Sequence, residues 1–447
     1  MRVLICLLFL FLFSIEPVFA YDLVLPTAKK TTVSSNYAFF VGKAGKSEEI
    51  TINDEKIYVA SNGAFAHSVK LKDGENRIAI KSEFNTQVYK VFKKESIPPV
   101  KTELREFDAK LYKIKKNNTP LRATPIDFGM NRITHLFKDT YILINGENGD
   151  FYRVLLSDNK LAWVDKKAVY EVRDNIFPKF IEMKSESYKN ASKFFIEFSE
   201  KLPYVVEENE KEILFKVYNP IISNSSVYTV NIRKPEKYSY KTVLEGGKYV
   251  FKITDVAKSV IDSYEDLTVV VDAGHGGLER GAIGCLGDEE KDLNLAIALE
   301  LKKVLSDKGI NVILTREDDK TVSLDDRVEL AQENDANIFV SIHLNSIPDI
   351  KMDINKHKGT SVYYYNSNSK NLAKTLLKTV TEALGTRKDG IRTASFAVLR
   401  PTDYLGVLVE VAYMTNPIDS TIYTTENFAE ITAQAIADGI LQYIDSL

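Results

Sequence analysis

Apolar and polar positions follow one rhythm before about residue 263 and another after it. From Tyr21 to about Lys94, stretches such as EEITINDEKIYVASNGAFAHSVKLKDGENRIAIKSE alternate apolar and polar residues, broken by Asn-Asp, Asn-Gly and Asp-Gly. Successive side chains on a strand point to opposite faces, so this alternation predicts short strands joined by tight turns, an all-β sandwich over 21–95. A Pro-containing linker, SIPPVKTE, begins at Ser96. Short strands and tight turns then predict a small β-barrel over 103–173. Renewed alternation, as in SKFFIEFSEKLPYVVEENEKEILFKVYN, predicts a further β domain over 176–263. His67 falls on a strand of the first module, where a structural role is expected.

After Asp266 the texture changes. LTVVVD is a continuous apolar strand, and LNLAIALELKKVLSDKG puts Leu293, Ala296, Ile297, Leu301, Val304 and Leu305 on one helical face. NVILTR reads as strand, and SLDDRVELAQEND as a helix with Ser323 and Asp326 as a capping pair. NIFVSIH, SVYYY and GVLVEVAYM are further strands; NLAKTLLKTVTEALG and FAEITAQAIADGILQYI are helices. Strands alternating with helices predict an α/β domain with a mainly parallel sheet over 266–447. Ligands of such sheets gather at the carboxyl ends of the strands. The expected fold class is therefore multidomain, all-β modules followed by a C-terminal α/β domain.

A length of 447 residues agrees with several domains of roughly 150 residues each. The net charge of −3 offers no basic face for phosphates, so no nucleic-acid partner is expected. Residues 1–20, MRVLICLLFLFLFSIEPVFA, combine Arg2, an apolar run and small residues before a cut after Ala20, the layout of a signal peptide. That run falls short of the about 20 apolar residues a bilayer span takes, and no second one follows. The mature chain is thus expected without a transmembrane span, exported to the periplasm or to the extracellular cell wall. Cys6 lies in the signal segment, which leaves Cys285 without an intramolecular partner and reads it as a small filler near a turn.

Candidate chemistry sits in the α/β part. VVVDAGHGG, residues 269–277, ends a strand by holding His275 between glycines. A Gly-rich turn after a buried strand is one plain explanation. His343 ends a second strand, IFVSIH, so both imidazoles lie at the carboxyl edge if the strands are parallel. Glu290 stands in GDEEKDLNLA just ahead of a helix, where the helix dipole alone would favour a carboxylate. Glu410 interrupts the apolar strand GVLVEVAYM, where burial without a partner would cost several kcal/mol, in order of magnitude. Two histidines and one carboxylate with an open position are the ligand set of catalytic zinc.

The segments VVVDAGHGGLERGAIG, EEKDLNLAIALELKKVL, VSLDDRVELA, FVSIHLNS, FAVLRPT and VLVEVAYMTNP occur in this order. Together, from about Leu267 to the C-terminus, they resemble the zinc-dependent N-acetylmuramoyl-L-alanine amidases of the type 3 family. The resemblance implies a peptidoglycan hydrolase that cleaves the amide between N-acetylmuramic acid and L-alanine of the stem peptide. It implies Zn2+ as cofactor, His275, Glu290 and His343 as its ligands, and Glu410 as the general base and acid acting on a zinc-activated water. Asp272 and Asn345 are then candidates for orienting the ligands. Ala273 stands where the family often has proline, and Leu344 where a small residue is usual; neither is expected to touch a ligand. His357 matches no ligand position and is expected in a solvated loop. Leu121-Arg122, Phe151 to Val154 and Ala162-Trp163-Val164 resemble a bacterial SH3-like domain, with Trp163 either a wall contact or a core residue. The first module is similar to Ig-like modules of envelope proteins, and the third to β modules that target wall amidases to peptidoglycan.

Two other readings compete with this one: a wall-binding protein with an inert C-terminal domain, and a zinc peptidase cutting within the stem peptide. The expected partner in each is peptidoglycan. Some amidases of the family carry a long helical insertion after the strand of the second zinc histidine, which blocks the metal until a partner removes it. Here that stretch is only IPDIKMDINKHKGT, and Ile350, Met352 and Ile354 alternate instead of recurring at helical spacing. So short a helix is marginal in water, so no activator protein is expected.

Overall fold

The structure, a computed structural model, describes residues 21–447 apart from 34, 46–47, 84, 95–102, 128, 158, 174–175, 189–190, 222–225, 236–237, 256–262 and 348–353. The expected signal peptide, the SIPPVKTE linker for the most part, and Ile350 and Met352 lie outside the described residues.

The described N-terminal region is all-β. Over Tyr21–Lys93, a three-stranded antiparallel sheet faces a five-stranded one, and the alternation puts Phe40, Phe65, Ile50, Ile52, Ile78 and Ile80 between them. Residues 105–171 form a seven-stranded antiparallel sheet, and residues 180–255 form a four-stranded and a three-stranded sheet. These last two groups share one core, in which Leu121, Leu156 and Val164 join Phe215, Tyr249 and Phe251. Phe137 stacks on Tyr204 across their junction, centroids 5.5 Å apart. Tyr204 also donates its hydroxyl to the His135 carbonyl at 3.0 Å. Trp163 is half-buried.

The C-terminal domain has strands β1 (Thr268–Ala273), β2 (Asn311–Leu314), β3 (Ile338–Asn345), β4 (Thr360–Tyr364), β5 (Lys388–Thr393) and β6 (Leu405–Tyr413). Its helices are α1 (Glu290–Ser306), α2 (Leu324–Glu333), α3 (Lys370–Leu384), α4 (Pro417–Tyr423) and α5 (Phe428–Asp445). The sheet runs β2-β1-β3-β6-β4-β5, and only the β4–β6 pair is antiparallel. β1, β3 and β6 are buried on both faces, which is why they read as continuous apolar runs. α1 buries Ile297, Ala298, Leu301 and Leu305 against the sheet, and Ser323 caps α2 by accepting from the Asp326 amide at 3.1 Å. The sequence pattern did not reveal β5 or α4.

The first β module packs on the C-terminal domain through Val41, Ala60, Ala64 and Ala66 against Cys285 and Ile354. Asn62 donates to the Ser420 hydroxyl at 3.1 Å. Cys285 is thus the buried filler expected of it, and burial pushes its thiol up to about 12. His357 departs from expectation: it is half-buried, its ring lies 6.2 Å from that of Tyr413, and its carbonyl accepts from Asn416. The loop that carries it is tied to the start of α4, where Asn416 donates to the His357 carbonyl and Asp419 accepts from the Gly359 amide at 2.7 Å.

Candidate metal centre

β1 and β3 are parallel neighbours, so their carboxyl ends open on the same edge and bring His275 and His343 together. Their rings stand nearly perpendicular, centroids 4.8 Å apart. The first residue of α1, Glu290, reaches between them: Oε2 lies 3.2 Å from His275 Nε2, and Oε1 lies 2.8 Å from His343 Nδ1. One ligand atom from each of the three falls within 4.8 Å of the others. Glu410 sits on β6 in register beside His343.

The backbone is shaped around these side chains. His275 itself adopts a left-handed conformation at φ 59°, which a residue with a Cβ adopts at a cost of about 1–2 kcal/mol. A side chain at Gly274 would run into the His343 ring. At Gly281, with φ +69°, a Cβ would lie 2.5 Å from Glu290 Oε2 and 2.7 Å from His275 Cδ2. Gly274 in the Gly-rich turn and Gly281 beyond it therefore do more than permit a bend: their missing side chains leave the volume in which the three donors meet.

Two buried arginines hold that turn. Arg316 donates to the carbonyls of Ala273 (2.9 Å), Gly274 (3.1 Å) and Lys291 (2.7 Å), tying β1 to the start of α1. Arg327 donates to the carbonyls of Ala273 (3.0 Å) and His275 (2.9 Å) and pairs with Asp272. Asp272 also accepts from Thr315 at 2.8 Å and Ser341 at 2.6 Å. Contrary to expectation, it touches none of the side chains of His275, Glu290 and His343; it is the counter-charge of Arg327, which fixes the His275 backbone. The Asn345 amide makes no hydrogen bond among the described residues; only its carbonyl does, accepting from Met414 at 2.7 Å. Leu344 corrects a further expectation, because its backbone N–H donates to Glu290 Oε1 at 3.2 Å. A main-chain contact of this kind is blind to the residue type.

Burial works against the charge of Glu290. The hydrogen bonds and charges of His275 and His343 overcome it and hold the carboxyl well below the usual carboxylate range. Amides of Leu344 and Ala282 (2.7 Å) add to them. Burial likewise opposes protonation of His343, but Glu290 and then Glu410 raise its pKa. At Glu410 burial wins: with help from Glu290, and against His343 and Arg392, it pushes the carboxyl up to about 7. Glu410 Oε2 is enclosed and has no hydrogen-bond partner. Asn294 went unrecognised in the sequence. It is fully buried one turn into α1, donates to the Gly274 carbonyl at 3.1 Å and comes within 3.5 Å of Glu290.

Residues 269–442 match the family model described as N-acetylmuramoyl-L-alanine amidase. Over 185 residues the chain is 36% identical to the uncharacterized protein YqiI of Bacillus subtilis, a match covering 40% of this chain and 86% of that one. The chain belongs to the N-acetylmuramoyl-L-alanine amidase family. Among other members of the amidase family, the probable cell wall amidase LytH of Staphylococcus epidermidis is 36% identical over 181 residues, 40% of this chain and 59% of LytH. The chain thus spans less than two thirds of LytH. The catalytic domain of CwlV, an amidase from Bacillus (Paenibacillus) polymyxa var. colistinus, is 40% identical over 40% of this chain and 98% of its own, with a TM-score of 0.38. The matched segment contains His275, Glu290, His343 and Glu410. The protein is accordingly an enzyme of the peptidoglycan amidase class, and all three β-rich sheet groups lie outside the match.

Proposed function

We propose that this protein hydrolyses the amide joining the lactyl group of N-acetylmuramic acid to L-alanine of the stem peptide, with zinc held by His275, Glu290 and His343. The observation that carries this reading is the meeting of two imidazoles and one ionised carboxylate within 4.8 Å, beside a carboxyl of raised pKa on the next strand. The residues fit zinc: the donor set is that of catalytic sites, and Gly274 and Gly281 leave the space between the donors clear. When bound, zinc polarises the scissile carbonyl and makes water acidic enough to attack at neutral pH.

The remaining chemistry belongs to the chain. Glu290 stays ionised through its two backbone N–H donors and neighbouring imidazoles, as a ligand must. The Glu410 carboxylate takes a proton from the attacking water and returns it to the leaving L-alanine nitrogen. A carboxyl whose pKa lies at about 7 is matched to both halves of that transfer at neutral pH. Arg316 and Arg327 keep the His275 turn fixed while this happens, so the donor geometry is set before substrate arrives.

The same reading extends to the rest of the chain. Residues 1–20 direct export to the periplasm or to the extracellular cell wall, and residues 21–95, 103–173 and 176–263 are Ig-like, SH3-like and targeting-type modules that concentrate domain 266–447 on peptidoglycan. Activity needs no activator protein. Mass spectrometry of digested sacculi tests the central claim: free stem peptides are expected, whereas cut cross-links would indicate a peptidase and no products a binding protein.

A further inference from the structure

A second charged site lies away from the metal centre, where the second and third β modules meet the C-terminal domain. A cavity of about 210 Å3 opens there, lined by Arg132, Thr134 and His135 from the second module, Tyr240 from the third, and Tyr365 and Arg400 from the amidase domain. Among the described residues neither arginine on its wall is ion-paired, and the charges of the more distant Asp127 and Asp325 only partly offset those of Arg132 and Arg400. Nε of Arg132 and Nε2 of His135 are enclosed without a hydrogen-bond partner. Arg400 donates to the Ser395 carbonyl at 2.8 Å. No carboxylate among the described residues forms an ion pair with Arg132 or Arg400. Asp403 also borders the cavity, but it is taken by Gln332 at 3.1 Å and Lys241 at 3.4 Å. Arg122, close by, is occupied by Asp127.

Two guanidinium groups facing one partly enclosed space repel each other and lose hydration, a combination that folding tolerates poorly unless something of opposite sign enters. Planar guanidinium forks match the oxygens of phosphate, and Tyr365 among the lining residues carries a neutral hydroxyl donor. We infer that this cavity is a binding site for a phosphate-class dianion, which joins the β-rich body to the amidase domain by bridging Arg132 and Arg400. The electrostatics agree. Burial, then Arg400, Arg132 and Arg122, hold His135 down at about 4, so the imidazole is neutral and can donate one N–H or accept. Burial and then Arg132 lower Arg400 to about 10. A bound dianion would reverse the repulsive part of both shifts.

The test uses the mature chain and inorganic phosphate, compared with sodium chloride at equal ionic strength, by calorimetric titration and thermal melting. Wild type should bind phosphate, and Arg132→Gln should bind it about tenfold more weakly, the cost of one charge-assisted pair. In chloride, Arg132→Gln should melt higher than wild type because the repulsion is gone; in saturating phosphate the order should reverse. Arg132→Lys, which keeps the charge without the fork, should fall between them and keeps the test open if the glutamine variant does not fold. Arg132 lies outside the metal centre, so phosphate held at the zinc would not distinguish the variants. Equal phosphate affinity in wild type and Arg132→Gln, or the same melting order in both salts, would overturn the inference. Dimethyl phosphate, a monoanion, is expected to bind more weakly than inorganic phosphate. Equal binding would replace the dianion with a phosphodiester, such as a polymer backbone supplies.

Discussion

Replacing Gly281 by alanine probes the packing of the metal centre without removing any donor. Its backbone sits at φ +69°, so any Cβ costs about 1–2 kcal/mol of stability. The new carbon would also stand 2.5 Å from Glu290 Oε2, and ordinary van der Waals contact begins at 3.4 Å. Glu290 would have to retreat by about 0.9 Å, several times the roughly 0.2 Å that metal–ligand distances tolerate. Its other oxygen is tied to the Leu344 amide and His343, so the shift disturbs two ligands together. Zinc affinity should fall by about 100-fold, at the upper end of what disturbed support around a metal costs. Gly287→Ala is the control: φ is +93° and nothing lies within 4 Å of the added carbon, so it carries a similar backbone penalty with no clash. Zinc affinity would be measured by competition with a chromophoric chelator, and stability by urea denaturation. Both variants should lose stability, Gly281→Ala the more because of its clash, and only Gly281→Ala should lose zinc. Equal zinc affinity in the two would refute the claim that the missing Cβ makes room for the ligands.

Arg327→Leu should destabilise the protein by about 3–5 kcal/mol in urea denaturation, because Asp272 is left buried without its counter-charge. Proton competition should make zinc binding pH-dependent. The raised pKa of His343 stabilises the metal-free fold at low pH, an effect lost as pH rises through that pKa. A protonated imidazole cannot ligate, so zinc affinity should fall as pH drops below the His343 pKa, while Glu290, already ionised, adds no step in that window. Calorimetry in buffers of different ionisation enthalpy should show proton release on zinc binding just below that pKa. Residues 266–447 alone should fold and cleave soluble muropeptide, since the α/β core is built from that segment and its immediate lead-in. In pelleting assays they should bind sacculi more weakly than the mature chain, because linked modules raise the local concentration.

Strand and helix rhythm exposed most of the amidase domain. Buried β1, β3 and β6 read as apolar runs, and α1 and α2 as amphipathic stretches with legible caps. β5 stayed hidden because KDGIRT is short, glycine-containing and half-exposed, with no period to detect. The four residues assigned to chemistry were found through motif order, and the structure brings His275, Glu290 and His343 to one point with Glu410 alongside. Their supports were harder to see. Arg316 ends the strand NVILTR and Arg327 follows the cap of α2, places where an arginine usually faces water; only the tertiary fold turns both toward the carbonyls of residues 273–275. The signal available was an arginine ending an apolar strand, whose burial calls for several acceptors. The β modules were legible as strands, but the shared core of the second and third was not, because contacts such as Phe137 with Tyr204 carry no local pattern.

The central claim is that Glu410 moves the proton while His275, Glu290 and His343 hold the metal. The direct measurement is Glu410→Gln, assayed for zinc content by atomic absorption and for free stem peptide released from muropeptides by mass spectrometry. The amide preserves the shape of the side chain and cannot accept a proton from water, so the account predicts full zinc occupancy with turnover abolished. Zinc lost together with activity would make Glu410 a ligand, and activity retained would remove it from the chemistry; either result contradicts the account.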